Sequence, residues 1–347
     1  MQPGGIGWNV CSRELLLPVK IVCNVGEYGV ESEGNLPVST KPVKRKNSMI
    51  FLIAVIAAIL LPTDALAWGG GIHMQLGVHV LANLDLLAGD VAALLAAHPK
   101  DFLYGCLAPD ITVGKKYTHY LLNCHRWGIG RTLLKEAGTD HQKACAYGYL
   151  CHLAADTVAH NYYVPYKIIR SFPTITMKHT YWEMRFEAFV EKDVWELARI
   201  VCRADRRAND VLLRDVLTTT IFSFGTNKRI FNSIMVLSRM EKLQKILQTL
   251  SSKSRYQLAE ADRDEYMELA REAIFDFLQN PEDSRFLRVD PTGEKALAAA
   301  DALRRSLRLR YKSGFMSKAE GFEEVEALRS TLRKSLHRPE LLKKLYV

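Results

Sequence analysis

The segment richest in chemistry runs His152-Leu-Ala-Ala-Asp156-Thr-Val-Ala-His160. On a helix, positions i, i+4 and i+8 fall within about 80° of one face, at ~100° per residue. The first and last Cα atoms are then about 12 Å apart, at ~1.5 Å per residue. That span is too long for both histidines to share one tetrahedral zinc, so as metal ligands they serve at least two ions. A second pair, His179-Thr-Tyr-Trp-Glu183, repeats the i, i+4 spacing. With His160 it offers two imidazoles and one carboxylate. Three protein ligands with a fourth position open to water are the pattern of catalytic zinc. Asp156, one turn from each histidine, has two oxygens with which to bridge two ions.

Trp68 adds a different kind of ligand. Lys41, Lys44, Arg45 and Lys46 precede an apolar run, Ile50 to Leu61, then Pro62 and Ala65-Leu66-Ala67. The run is shorter than the ~20 residues of a membrane span. The order of basic, apolar and small residues is that of a cleaved secretory signal. Residues 49–67 are therefore expected to be removed, and the product to be secreted or periplasmic. Residues 1–48 show no helical period and lie upstream of Met49, as a disordered extension or a mis-called start would. Cleavage after Ala67 gives Trp68 a free amine, which with its carbonyl can bind a metal. His73 follows across Gly69-Gly70-Gly71.

The elements that must position these groups read as helices. Apolar residues recur at helical intervals over 73–87, 141–163, 179–202, 207–224 and 228–250, and strand-like alternation is nearly absent. Irregular structure is expected over Tyr104–Gly130, over Asn161–Met177 with its two prolines, and over Asn280–Thr292. Charged amphipathic helices are expected at 294–311 and 319–336. The chain thus reads as an all-α, multi-helix domain over 68–280 with a basic helical extension over 292–347. The net charge of +9, nearly all of it after residue 67, suits an anionic surface or nucleic acid as partner. Five cysteines follow the leader, an odd number that leaves at least one thiol unpaired within the chain.

As an ordered set, these residues resemble the secreted zinc-dependent phospholipases C and the related S1/P1-type nucleases. The resemblance covers residues 68 to about 190. It implies an all-helical fold and two or three Zn2+ ions. It assigns one zinc to Asp110, His125, His152 and Asp156, a second to His160, His179 and Glu183, and a third to Trp68, His73 and a bridging Asp156. His119 is an alternative to His125. The spacing between Asp156 and His160 is shorter than the family's, as is that between Trp68 and His73. Asp110 lies in Ala108-Pro109-Asp110, a sharp turn that exposes a carboxylate.

The chemistry implied is phosphoester hydrolysis. A zinc cluster lowers the pKa of a bound water and yields hydroxide at working pH, and Asp110 is the carboxylate expected to assist proton transfer. The first expectation is a phospholipase C acting on phospholipid head groups, with peripheral contact to a membrane surface and no obligate protein partner. A single-strand nuclease is the rival. It needs aromatic platforms for bases, and Tyr162, Tyr163 and Tyr166 are the candidates. A secreted protein that binds zinc without turnover is the third reading.

Overall fold

The computed structural model describes residues 68–112, 124–174, 179–217, 222–238 and 258–345. Residues 1–67, which include the signal segment expected over 49–67, and the alternative ligand His119 lie outside the described residues. Every regular element among those described is helical. Helices α1 (Gly70–Ala82), α2 (Gly89–Ala97) and α3 (Pro99–Leu107) come first, and α3 runs into a 3-10 turn, Ala108–Ile111. Next are α4 (Trp127–Glu136) and the long α5 (Asp140–Val158), which passes through a π-turn, Ala159–Tyr163, into α6 (Val164–Arg170). Then come α7 (His179–Glu187), α8 (Lys192–Arg203), α9 (Arg207–Val216), α10 (Phe224–Ser238) and α11 (Glu260–Gln279). The last long helices are α12 (Glu294–Lys312) and α13 (Lys318–Ser335).

Helix α5 is the axis of the molecule. Thr139 caps it, accepting from the Gln142 N–H at 3.3 Å, and Asp140 opposes the positive end of the helix dipole. From Ala144 onward every residue but Tyr147 is buried. A helix covered on all sides belongs to a core, and α3, α4 and α11 do the covering. Glycine allows the closest of these approaches. A Cβ on Gly105 would sit 2.0 Å from the Cys145 carbonyl oxygen, and one on Gly148 would sit 2.0 Å from the Phe102 oxygen. Contacts at 101/141, 105/145 and 106/152 advance together, so α3 and α5 run side by side in the same direction.

Around one end of this pair lies an aromatic cluster. Trp68 packs on Phe186 with centroids 5.0 Å apart, and Tyr163 packs on Phe186 at 5.1 Å and on Tyr266 at 4.7 Å. All four side chains are fully buried. The C-terminal helices join the same core. α12 and α13 cover α6, and Arg329 of α13 reaches Asp262 at 2.8 Å and Glu265 at 2.5 Å on α11. Ser317 and Glu320 form a reciprocal capping box that starts α13.

Several boundaries differ from the expectation. The segment expected as a loop from Asn161 is helical as far as Arg170. Pro165 follows directly on the π-turn, where the Val164 N–H bonds the Ala159 oxygen, and this wider turn takes in a residue without an N–H while the chain stays helical. The single helix expected over 179–202 is two, because the chain turns at Phe189 and Val190. The stretch expected to be irregular from Tyr104 is helical as far as Ile111, since Pro109 is accommodated inside the 3-10 turn. Cys106, Cys124, Cys145, Cys151 and Cys202 are all buried and unbridged. No helix among the described residues is long and apolar enough to cross a membrane.

Candidate metal centre

Four segments converge where α5 passes its neighbours. α5 contributes His152 and Asp156, one turn apart. α1 contributes His73, the 3-10 turn after α3 contributes Asp110, and the chain leading into α4 contributes His125. Asp156 Oδ1 lies 3.3 Å from His73 Nε2, while Oδ2 lies 3.3 Å from His152 Nε2 and 3.6 Å from His125 Nε2. Asp110 Oδ1 lies 3.4 Å from His125 Nε2 and 4.0 Å from His152 Nε2. The Nε2 atoms of His125 and His152 face each other at 3.2 Å. The His73 and His152 rings stack with centroids 3.6 Å apart. All five side chains are buried.

These spacings suit a shared cation. Two donors on one tetrahedral zinc, each at about 2.0–2.1 Å, are separated by roughly 3.3 Å. His73, Asp110 and His152 form one set whose ligand atoms all lie within 4.8 Å, and His125, His152 and Asp156 form another. Neither oxygen of Asp156 and neither ring nitrogen of His73 makes a directed hydrogen bond among the described residues, although both side chains are buried. A carboxylate held this way is strongly unfavourable unless a cation neutralises it. The next layer supports the same reading. His152 Nδ1 donates to the Cys106 carbonyl oxygen at 2.8 Å, which leaves Nε2 as the lone-pair atom facing the carboxylates. His160 Nδ1 donates to the Pro291 oxygen at 2.6 Å in the same manner.

Electrostatics keep the carboxylate charged. Burial pushes the Asp156 carboxyl up, but His152, His73 and His160 outweigh it and hold it well below the usual range. For His152, burial is outweighed by Asp156 and Asp110, and its pKa rises. His73 moves down, chiefly through burial and then through repulsion from His152. A site with an ionised aspartate and a neutral imidazole stacked on a second imidazole is set up to bind metal.

The family model of zinc dependent phospholipase C matches residues 72–223. That span holds every converging residue. The chain carries a domain of the zinc-dependent phospholipase C family. With it the protein falls among the zinc-dependent phosphodiester hydrolases. No curated protein and no solved structure matches the chain significantly.

The phospholipase C domain brings together five of the nine candidate ligands, His73, Asp110, His125, His152 and Asp156. The remaining four are placed as follows. His160 is buried on the π-turn that continues α5, and such turns recur at functional sites. Glu183 is buried on α7. His179 begins α7, but its side chain lies outside the described residues. Trp68 is buried against Phe186, next to the start of α1. Asp110 faces the cluster and is buried rather than exposed, because its turn points inward from the end of α3.

Some supporting residues escaped the sequence reading. Glu187, one turn beyond Glu183, accepts from Gly71 N at 3.2 Å and Ile72 N at 3.0 Å. It caps α1 from a helix 115 positions away in sequence, and so ties the Trp68–His73 segment to α7. Burial is the main cause of its raised pKa, about 8, against the pull of those two N–H groups. The i, i+4 step from Glu183 to Glu187 was the only available signal. The turn at Asp290–Gly293 clamps His160. Gly293 has φ 60 and packs so closely that a Cβ would lie 2.3 Å from His160 Cβ, while Asn161 Nδ2 donates to the Asp290 oxygen at 2.8 Å. Nothing local marks this distant turn. Tyr162, Tyr163 and Tyr166 are buried, with hydroxyls on Glu265, the Trp182 carbonyl and Glu326. They are packing residues and present no face on which a base can stack.

Proposed function

We propose that the protein is a secreted phospholipase C that cleaves the phosphodiester between diacylglycerol and a phospholipid head group. The observation that carries the reading is the convergence of His73, Asp110, His125, His152 and Asp156 inside a matched zinc-dependent phospholipase C domain. Zinc held by these residues supplies positive charge for phosphate oxygens and a water of lowered pKa. The protein's own groups do the rest. Cys106 and Pro291 fix two imidazoles through their backbone carbonyls. Asp156, at the meeting point of His73, His125 and His152, would hold zinc through either or both of its oxygens. The Asp110 carboxylate, 3.4 Å from His125 Nε2, takes the proton of the attacking water. The oxygen of that water forms the new bond to phosphorus as the P–O bond to glycerol breaks in line, and the proton held by Asp110 passes to the departing glycerol oxygen, which restores the carboxylate.

The net charge of +9 favours an anionic lipid surface. The leader motif ending at Ala67 supports export, with Trp68 as the mature N-terminus. The assay is direct. Zinc-loaded protein should release diacylglycerol and phosphorylated head group from phosphatidylcholine vesicles, lose activity on chelation, and recover it with zinc. Single-stranded DNA run in parallel should be left intact. Fully zinc-loaded protein that cleaves neither substrate is the result that removes this reading and leaves a zinc-binding protein without turnover.

A further inference from the structure

A second group of metal-type side chains lies at the opposite end of the α3–α5 pair. Pro99 begins α3 and leaves His98 as the residue joining it to α2, with φ −125 and ψ 49. Asp101 follows in the first turn of α3, and His141 occupies the first turn of α5. Because the two helices run in parallel, the same packing that brings Cys106 to His152 brings Asp101 to His141 one to three turns earlier. His141 Nδ1 is 2.8 Å from Asp101 Oδ2. The His98 and His141 rings meet edge to face, with centroids 4.2 Å apart. One ligand atom from each of the three residues falls within 4.8 Å of the others. His141 and His152 are eleven positions apart on α5, or about 16 Å at ~1.5 Å per residue. This group is therefore separate from the catalytic cluster.

We propose that His98, Asp101 and His141 form a second, surface-accessible site for a zinc-like divalent ion. Two imidazoles and one carboxylate are donors for Zn2+, Co2+, Ni2+ or Cu2+, and poor ones for Mg2+ or Ca2+. The carboxylate is already oriented as a ligand should be. Its Oδ1 accepts from Asn209 Nδ2 at 2.7 Å and Arg206 Nη1 at 3.2 Å, so Oδ2 is the atom presented to His141. A metal between Oδ2 and Nδ1 needs them only about 0.5 Å farther apart, at zinc bond lengths of ~2.0–2.1 Å. The His141 side chain is 59% exposed and Asp101 8%, so an ion has access from solvent while one ligand stays fixed in the core. Asp140, beside His141, is paired with Lys143 at 3.0 Å, which leaves the remaining coordination to water. Arg206 and the positive ends of two helices oppose a cation here, so binding is expected to be micromolar, weaker than in the catalytic cluster. The bound ion would pin the α2–α3 junction to α5 and, through Asp101, to the start of α9.

The test compares zinc-loaded protein with the double variant His98→Ala/His141→Ala, which keeps Asp101 and its partners Asn209 and Arg206. After equilibration in micromolar zinc, metal analysis should find one equivalent more in the parent than in the variant. Excess zinc should raise the melting temperature of the parent alone, Ca2+ should raise neither, and the variant's zinc-dependent phosphodiesterase activity should be unchanged. A His98→Asn/His141→Asn pair serves if the alanine variant folds poorly. Equal metal-to-protein ratios in parent and variant, or an equal zinc-induced rise in melting temperature, overturn the proposal whether or not the protein is a phospholipase.

Discussion

At the scale of single residues, Asp156 decides the most. Both oxygens face imidazoles at 3.3 Å or slightly more, and no directed hydrogen bond satisfies them among the described residues. Asp156→Asn keeps the volume and removes the charge. Bound zinc should fall by at least one equivalent, and activity by more than the 10–100-fold typical of losing an outer-shell partner, roughly 1,000-fold. Metal analysis beside the vesicle assay reads both, and a full zinc complement in the variant would deny Asp156 its bridging place. His79 offers an independent pH test away from the cluster. Burial, then Arg271, lowers its pKa to about 4. The unfolded chain therefore binds more protons than the folded one between about 6.5 and about 4. His79 contributes stability that is complete above pH 6.5 and is lost as pH falls through that window. The melting temperature of His79→Gln should fall less steeply than the parent's from pH 7 to 5, and parallel curves would refute this. Residues with chemistry at helical spacing were legible in the sequence because a helix converts i+4 into proximity. Glu187 and the Pro291 carbonyl were not, since their partners lie more than a hundred positions away.

At the scale of elements, the site depends on how closely α3 and α5 approach. The Cys106 carbonyl can orient His152 only because Gly105 and Gly148 let the two backbones touch. Gly148→Ala places a methyl 2.0 Å from the Phe102 oxygen and 2.8 Å from the Cys106 nitrogen. Both obstacles are backbone, so relief requires the helices to separate. Overpacking of this kind typically costs about 1–3 kcal/mol, a drop of roughly 2–5 °C in melting temperature for a domain of this size, with weakened zinc binding. Gly89→Ala, which meets nothing within 4 Å, is the control and should be neutral or slightly stabilising. Calorimetry of both zinc-loaded variants checks the pair, and an unshifted Gly148→Ala would mean the helices have slack. Helical periodicity revealed that these elements exist. It could not reveal that a π-turn accommodates Pro165, or that one amphipathic pattern covers both α7 and α8. Periodicity reports which face is buried, whereas breaks depend on local backbone chemistry.

At the scale of the whole molecule, two segments far apart in sequence, Trp68–Ile72 and Asp290–Gly293, close on the same centre. From the C-terminal side, the Asp290–Gly293 turn holds His160 and Asn161, while α12 and α13 brace α6 behind it. From the N-terminal side, Glu187 grips Gly71 and Ile72 just ahead of His73, and Trp68 is locked against Phe186 and Tyr163. The start of the domain is therefore fixed within a few residues of a candidate ligand, whatever precedes it. If processing frees the Trp68 amine, that group is delivered to a position the fold has already rigidified, and one further zinc can bind beside His73. Protein beginning at Trp68 should then hold one zinc more than protein carrying a single extra alanine ahead of it. The extended form should keep the metal bound by His125 and His152 while losing most activity. Metal analysis and vesicle hydrolysis on the two forms, made identically apart from that residue, separate the outcomes. Equal zinc content and equal rates would make Trp68 a packing residue, its indole held by Phe186 and Tyr163 with no part in the metal centre.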